Sequence, residues 1–203
     1  MLSKWLPQEE ILAISHDEAL QSCKEALTIL REVGDRGGEG RTQSNLGLIY
    51  ADLNDNNQAL KYSEEALNIL REVGDRGIEG ITLSHLGEIY AKLGEKERSR
   101  QYYQEALKVF REVGDRWEEG RTLHSLGKLY FNQGNIDVAL ACFLLARSIL
   151  EEVQYPDRGS TQRWIKKLHE NIGNEQFAVL LAQVELQASH IVEQALHALL
   201  PLN

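Results

Sequence analysis

Two histidines and a glutamate have a spacing that could suggest a metal site. His85 and Glu88 are one helical turn apart, and His124 lies at almost the same place in the next copy of an internal repeat. A metal site needs three or four ligands in a tight geometry. The sequence has no CxxC and no HExxH pattern, and it offers no third strong ligand. We therefore expect no metal and no cofactor, and we interpret these histidines as groove or surface residues.

A glycine-rich segment is the second place where chemistry is conceivable. Gly34-Asp35 and Gly37-Gly38-Glu39-Gly40 would open a helix, and helix N-termini can bind phosphate. No strand precedes the segment, and the later repeats have Ile78 and Glu118 in place of Gly38. A flexible helix start explains the glycines better. Because a Walker loop, a nucleophile elbow and a dinucleotide fingerprint are all missing, the sequence predicts that the protein is not an enzyme.

Composition limits the classes of partner. The chain has 203 residues, of which 42% are hydrophobic and 26% charged, as is usual for a folded protein. Its net charge of −9 disfavours general electrostatic binding to nucleic acid or to an anionic membrane. Cys23 and Cys142 lie among apolar residues, so we interpret them as buried free thiols. Since no signal-peptide core is evident either, we expect the protein to be cytoplasmic.

One phrase, Arg-Glu-Val-Gly-Asp-Arg, occurs three times, at 31–36, 71–76 and 111–116, with a period of 40 residues. Such periods indicate solenoids or other repeat arrays. Gly34 is suited to end one helix, and Asp35 to cap the next by accepting hydrogen bonds from its first turn. Asp115 followed by Glu118 has the spacing of a capping box. The phrase is therefore predicted to stop one helix and start another.

A glycine also recurs inside the helix that follows each phrase. Gly47, Gly87 and Gly127 are each followed three residues later by tyrosine. Glycine in a helix costs about 1 kcal/mol relative to alanine, so its recurrence implies close approach of a partner helix. The partner helices carry small residues at matching steps, such as Ala59 and Ala66. The helices predicted in order are 17–33, 36–52, 56–73, 76–92, 96–113, 116–132 and 136–153.

The two ends of the chain depart from this pattern. Residues 1–15 are predicted to be an N-terminal cap or a degenerate helix over 8–14, and residues 16–153 form the array. Residues 154–203 are interpreted as a divergent last repeat with a capping segment. A first helix over 158–172 would end at Gly173, and 174–200 would form one helix, or two with a bend near 186–188.

These residues resemble the tetratricopeptide repeat, most clearly in Leu46-Gly47 with Tyr50, followed by Ala59 and Ala66. The 40-residue form is similar to the repeats of spindle-orientation adaptor proteins, kinesin light chains and arrays attached to bacterial signalling ATPases. One departure is Ser63, which stands where the later copies have the aromatic residues Tyr103 and Phe143. The resemblance implies an all-α, right-handed superhelical solenoid of antiparallel helix pairs with a C-terminal capping helix or helices.

The resemblance also implies that the first helix of each pair lines a concave groove that binds a peptide. Seven basic and three acidic residues fall on that surface, which makes it positive on a negative protein. We hypothesise that the ligand is an acidic peptide or an acidic protein terminus; the alternative is that these are ordinary solvated helix faces. Carried over position by position, the groove contains Arg41, Ser44, Asn45, Leu48, Asp52, Ile81, Ser84, His85, Glu88, Lys92, Arg121, His124, Ser125, Lys128, Asn132, Arg163, Lys166, Lys167 and Glu170.

The sequence is also compatible with two other functions. The long apolar stripe over 174–200 favours an assembly element that stacks or forms a homodimer through its terminal helices. The chain could also be the sensor arm of a larger signalling system that uses the same groove. Our first expectation is a scaffold or adaptor that binds a protein or peptide, with no nucleic-acid or membrane partner.

Overall fold

A computed structural model describes residues 8–154 and 159–197, and side chains from residue 16 onward. Those residues form ten helices and no strand, so the predicted all-α class is confirmed. Helices α2 and α3, and likewise α6 and α7, are packed pairs joined by short turns. The helices are α1 Gln8–Val33, α2 Arg36–Asp52, α3 Asn56–Val73, α4 Arg76–Lys92, α5 Lys96–Val113, α6 Arg116–Asn132, α7 Ile136–Glu152, α8 Gly159–Ile172, α9 Asn174–Val184 and α10 Ala188–His197.

At the two ends of the chain, the helices differ from those that hydrophobic periodicity predicts. Helix α1 begins at Gln8, so the short helix expected over 8–14 is the start of one long helix. No glycine or proline interrupts the sequence between Gln8 and Val33. The stretch over 174–200 contains two helices, α9 and α10, which are separated at 185–187. The sequence Tyr-Pro-Asp-Arg at 155–158 is similar to the end of the repeated phrase. It lies outside the described residues, as do 1–7 and 198–203.

The phrase ends one helix and caps the next, as the sequence indicated. Gly74 and Gly114 have φ of 74° and terminate α3 and α5 in the left-handed conformation that glycine adopts readily. The Asp35 carboxylate then accepts a hydrogen bond of 2.9 Å from the Gly38 amide. Asp115 accepts one from the Glu118 amide at 3.0 Å, which is half of a capping box. The Asp115 amide, which would complete the box, donates to the Phe110 carbonyl at 2.9 Å, and the Glu118 side chain bonds Arg121.

A buried glutamate follows each copy of the phrase, and the two arginines of the phrase both bond it. The sequence did not predict this contact. Glu39 in α2 accepts from the Arg31 Nε in α1 at 2.9 Å, and its other oxygen accepts from Arg36. Arg36 also reaches Glu72 at the end of α3, at 2.8 Å. The Glu39 carboxylate therefore joins α1 to α2, and Arg36 extends the connection to α3. The later repeats have the same clamp, in Arg71, Arg76 and Glu79, and in Arg111, Arg116 and Glu119.

Electrostatics at the clamp favour the charged glutamate. Burial by itself would raise the pKa of Glu39, but hydrogen bonds from Arg31 and Arg36 outweigh it, so the pKa is lower than usual. The hydrogen bond to Glu72, with that to Glu39, raises the pKa of Arg36. The pKa of Arg116 is raised in the same way by its bond to Glu152. The arginine–glutamate contacts are therefore ion pairs at neutral pH.

The recurrent helix glycine fits two different neighbours. A Cβ at Gly47 would collide with the Ser63 hydroxyl oxygen and would lie 3.2 Å from the Ser63 amide nitrogen and 3.3 Å from the Ala59 carbonyl oxygen. In that pair the glycine permits the close approach of two backbones that its recurrence implied. A Cβ at Gly127 would instead lie 2.6 Å from Cε1 of Phe143, whose ring fills the corresponding space. The size of the residue on the partner helix decides which contact is made.

The chain divides between Ile89 and Tyr90 into two compact units. The first buries Leu46, Leu70 and Leu83 completely. The second has a larger core, in which Tyr103 and Phe143 pack with apolar residues of the C-terminal helices. Helix α10 lies on α7 and α5, and the Tyr130 hydroxyl donates to the Ala195 carbonyl at 3.2 Å. The C-terminal helix is thus a packed part of the second unit.

We expect Glu39→Gln to lower the free energy of unfolding by about 1–2 kcal/mol at pH 7, a moderate loss because water screens the half-exposed arginines. The folded pKa of Glu39 lies below the ordinary value of 4.5. The wild-type advantage should therefore be complete above that value and disappear as the pH falls through the folded pKa. Urea unfolding at a series of pH values measures it. Glu32→Gln, on an exposed turn of α1, is the control, and a loss that does not depend on pH would contradict the charge clamp.

We expect Gly127→Ala to lower the free energy of unfolding by about 1–3 kcal/mol, because its methyl group would collide with the Phe143 ring. Gly37→Ala is the matched control, since its Cβ would meet only Asp35 Oδ1 at 3.6 Å. That change should be neutral or stabilising by up to about 1 kcal/mol. Urea denaturation of Gly127→Ala in the wild type and in Phe143→Leu forms a double-mutant cycle. An equal loss in both backgrounds would show that the ring is not the obstacle.

Candidate functional site

In the first unit, the cation expected in the groove is already neutralised. Arg41 Nε forms an ion pair of 2.7 Å with Asp75 Oδ2. Asp75 also caps α4, since its Oδ1 accepts from the Ile78 amide at 3.4 Å. Arg41 therefore links α2 to the next repeat junction. It contributes little net charge to a ligand surface.

The expected polar residues of the first unit divide into buried and exposed ones. Ser44 is buried and its hydroxyl bonds that of Thr82 at 2.8 Å, while the Thr82 hydroxyl donates to the Ile78 carbonyl. Ser84 is also buried, whereas Asn45 is exposed. The side chains that remain at least partly accessible there are Asn45, Leu48, Asp52, Ile81, His85 and Glu88.

The second unit presents a row of aromatic and basic residues along α6. Trp117, Arg121, Lys128 and Phe131 are spaced by four, seven and three residues, which places them on one helix face. The Arg121 guanidinium lies 4.9 Å from the centre of the Trp117 ring. Arg121 also forms an ion pair of 3.0 Å with Glu118. Trp117 is 36% exposed and stands where the earlier repeats have glycine.

Helix α8 completes this surface with a second tryptophan, and we call Lys128, Phe131, Trp164 and Lys167 the Trp164 cluster. The Lys167 ammonium lies 4.4 Å from the centre of the Trp164 ring and 5.5 Å from that of Phe131. The Lys128 ammonium is 5.9 Å from the Trp164 centre. Phe131 meets Trp164 edge-on at 5.5 Å. Two lysines from two helices are thus held against one indole.

The remaining predicted residues of the second unit surround this cluster. His124 Nδ1 is 3.1 Å from the Thr161 hydroxyl, which connects α6 to α8. Ser125 is half-buried, and Lys92 and Asn132 are exposed at the ends of α4 and α6. Lys166 pairs with Glu170 at 3.6 Å, one turn along α8. Arg163 is exposed on the same helix. The predicted α6 and α8 residues therefore lie on two helices connected by contacts within one unit.

This arrangement is suited to binding an anion. A ring face holds an ammonium group without neutralising its charge, so the lysines keep donors for a ligand. Sequence reasoning missed the three aromatic residues Trp117, Phe131 and Trp164. The replacement of glycine by Trp117 was the available signal. Within 8–154 and 159–197 no group of acidic, histidine or cysteine side chains could hold a metal, and no helix is long and apolar enough to cross a membrane.

Comparisons with known proteins agree with the helix pairs. A family model of the tetratricopeptide repeat matches residues 15–72 and 79–152, which is more than half of the chain. The crystal structure of BtubC (BKLC) from P. vanneervenii is similar, with a TM-score of 0.68 and 18% sequence identity. The match covers 90% of this chain and 75% of that one, and at this identity it shows the fold alone. None of the curated proteins matches the chain.

The buried hydrogen bond between the Ser44 and Thr82 hydroxyls indicates a structural role for Ser44, one of the predicted groove residues. We expect Ser44→Ala to lower the free energy of unfolding by about 1 kcal/mol, because it removes the hydrogen bond to buried Thr82. Asn45→Ala changes the exposed neighbour and should have an effect below about 0.5 kcal/mol. Thermal and urea unfolding of the two variants provide the comparison. Equal effects at the two positions would show that the hydroxyl pair does not stabilise the fold.

Proposed function

The chain belongs to the tetratricopeptide repeat family, and we propose that it is a non-catalytic scaffold that binds an acidic segment of a partner protein. Repeats of this family generally mediate protein–protein interaction. The observation that carries the proposal is the Trp164 cluster, in which Lys128 and Lys167 lie against one indole. We place the acidic segment along α6 and α8 of the second unit.

Charge supports this assignment. The protein carries a net charge of −9, yet α6 and α8 bring Lys128, Arg163 and Lys167 to the surface. Among the described residues, none of these three has a carboxylate within ion-pairing distance. In the first unit, by contrast, Arg41 is paired with Asp75. An acidic segment would therefore find its best electrostatic match in the second unit.

The aromatic residues favour a protein ligand over single-stranded nucleic acid. Binding of bases relies on open ring faces on which they can stack. Here the Trp117 ring is covered by Arg121, and the Trp164 ring is contacted by Lys167, Phe131 and Phe143. The rings therefore position cations and are poorly placed to stack on bases. Positioned cations suit carboxylates.

The cysteines bear on the cellular compartment. Cys142 is completely buried, and burial raises the pKa of its thiol well above the usual range. Cys23 is half-buried, and burial raises its pKa as well. Both are free thiols in this structure. We propose a cytoplasmic adaptor role, for which unoxidised cysteines are suitable.

Self-association is the second candidate function. Val179 on α9 is 56% exposed, and Leu186, between α9 and α10, is 91% exposed. Exposed aliphatic side chains of this kind can contribute to a contact between copies. Light scattering at high protein concentration tests this alternative. A strict monomer would remove it without affecting the scaffold proposal.

We expect the variant Lys128→Glu/Lys167→Glu to weaken binding of a fluorescent glutamate-rich peptide by about tenfold or more, which corresponds to about 1.4 kcal/mol. Fluorescence anisotropy at low salt measures the affinity. The control Lys96→Glu/Lys108→Glu makes the same change of charge on exposed positions of α5 and should stay within about twofold of the wild type.

Two results would contradict the proposal. One is tighter binding of a matched lysine-rich peptide by the wild-type chain. The other is an equal loss of affinity in the α5 control, which would indicate a general effect of net charge. Circular dichroism should show unchanged helix content in both variants, because all four lysines are exposed.

A further inference from the structure

Three cations of the second unit differ from their neighbours in having no acidic partner. Arg121 is paired with Glu118, and Lys166 with Glu170. Lys128, Arg163 and Lys167 have no such carboxylate among the described residues. We call these three the unpaired triad. Its positive charge is not compensated within the part of the unit that the structure describes.

Two members of the triad lie against one tryptophan, and the third is on the same helix as that tryptophan. The Lys128 and Lys167 ammonium groups lie 5.9 Å and 4.4 Å from the Trp164 ring centre, so their separation cannot exceed the sum of these distances. Arg163 is four residues before Lys167 on α8, which places it one turn away on the same face. Long side chains at these three positions can converge on a single group.

A single group that matches such a triad must carry more than one negative charge. A carboxylate carries one charge, which would leave most of the triad uncompensated. A phosphate monoester carries a charge of about −1.5 to −2 at pH 7 and has three strong acceptor oxygens. The planar guanidinium fork can bind two of those oxygens, while the ammonium groups act as point charges.

We infer that the unpaired triad binds a phosphorylated side chain of the partner segment. This inference rests on the proposed function, since it specifies the acidic residue that the same surface recognises. Two neighbouring carboxylates are a poorer match, because successive side chains of an extended segment point to opposite sides. Residues two apart share a side but lie about 6–7 Å apart, so their charges do not act at one point.

The experiment compares four fluorescent peptides of otherwise identical sequence, with serine, aspartate, phosphoserine or a glutamate pair at the centre. We expect the wild-type chain to bind the phosphoserine peptide about tenfold or more tightly than the aspartate peptide. The variant Lys128→Gln/Arg163→Gln/Lys167→Gln should lose this preference. The control Lys61→Gln/Lys96→Gln/Lys108→Gln removes the same charge from exposed positions elsewhere and should keep it.

The possible results distinguish the phosphate ligand from the proposed function on which it rests. Equal binding of the phosphoserine peptide and either the aspartate or the glutamate-pair peptide would overturn the inference. A preference that persists in the triad variant would also overturn it. If the glutamate-rich peptide still binds in these cases, the proposed function stands. If no acidic peptide of either kind binds, both the acidic ligand and the phosphorylated one are wrong.

Discussion

Each described repeat junction depends on one buried carboxylate between two arginines. Glu39 is buried in α2, where an unpaired charge would be strongly destabilising. Arg31, before the helix stop, and Arg36, just after it, both bond this carboxylate. The six-residue phrase therefore does more than mark the helix boundary. Its two arginines must lie on either side of the turn so that both reach the same carboxylate. Because Arg36 lies in the same helix as Glu39, a change in the length of the turn would displace Arg31 and leave the carboxylate with Arg36 alone.

The clamp explains which positions of the repeat are free to differ. Residues 37 and 38, 77 and 78, and 117 and 118 lie between the phrase and the buried glutamate but take no part in the clamp. They read Gly-Gly, Gly-Ile and Trp-Glu. In the third copy Trp117 and Glu118 both engage Arg121, whereas Arg41, its counterpart in the first copy, bonds Asp75. The same repeat thus supports different surface charge patterns.

The sequence predicted the helices well because their boundaries depend on local signals. Helices α2 to α6 begin and end at the residues expected, and α7 to within one residue. Aspartate caps begin α2, α3 and α6, and glycine stops end α3 and α5. The long N-terminal helix was not foreseen, because residues 8–15 lack a clear apolar period. Ser44 belonged to the predicted groove row, but its position relative to Thr82 depends on how two repeats pack. The Trp164 cluster likewise combines residues from α6 and α8, so no local pattern could indicate it.

Cationic side chains have two different roles in this structure. The arginines of the phrase bond carboxylates directly, so their charge is compensated and serves the packing of successive helices. Lys128 and Lys167 are positioned by the Trp164 ring, whose attraction for a cation comes from its quadrupole and carries no net charge. A ring can therefore hold an ammonium group in place and leave its full charge available. On a protein with an excess of acidic residues, this is how a surface can be both ordered and positive.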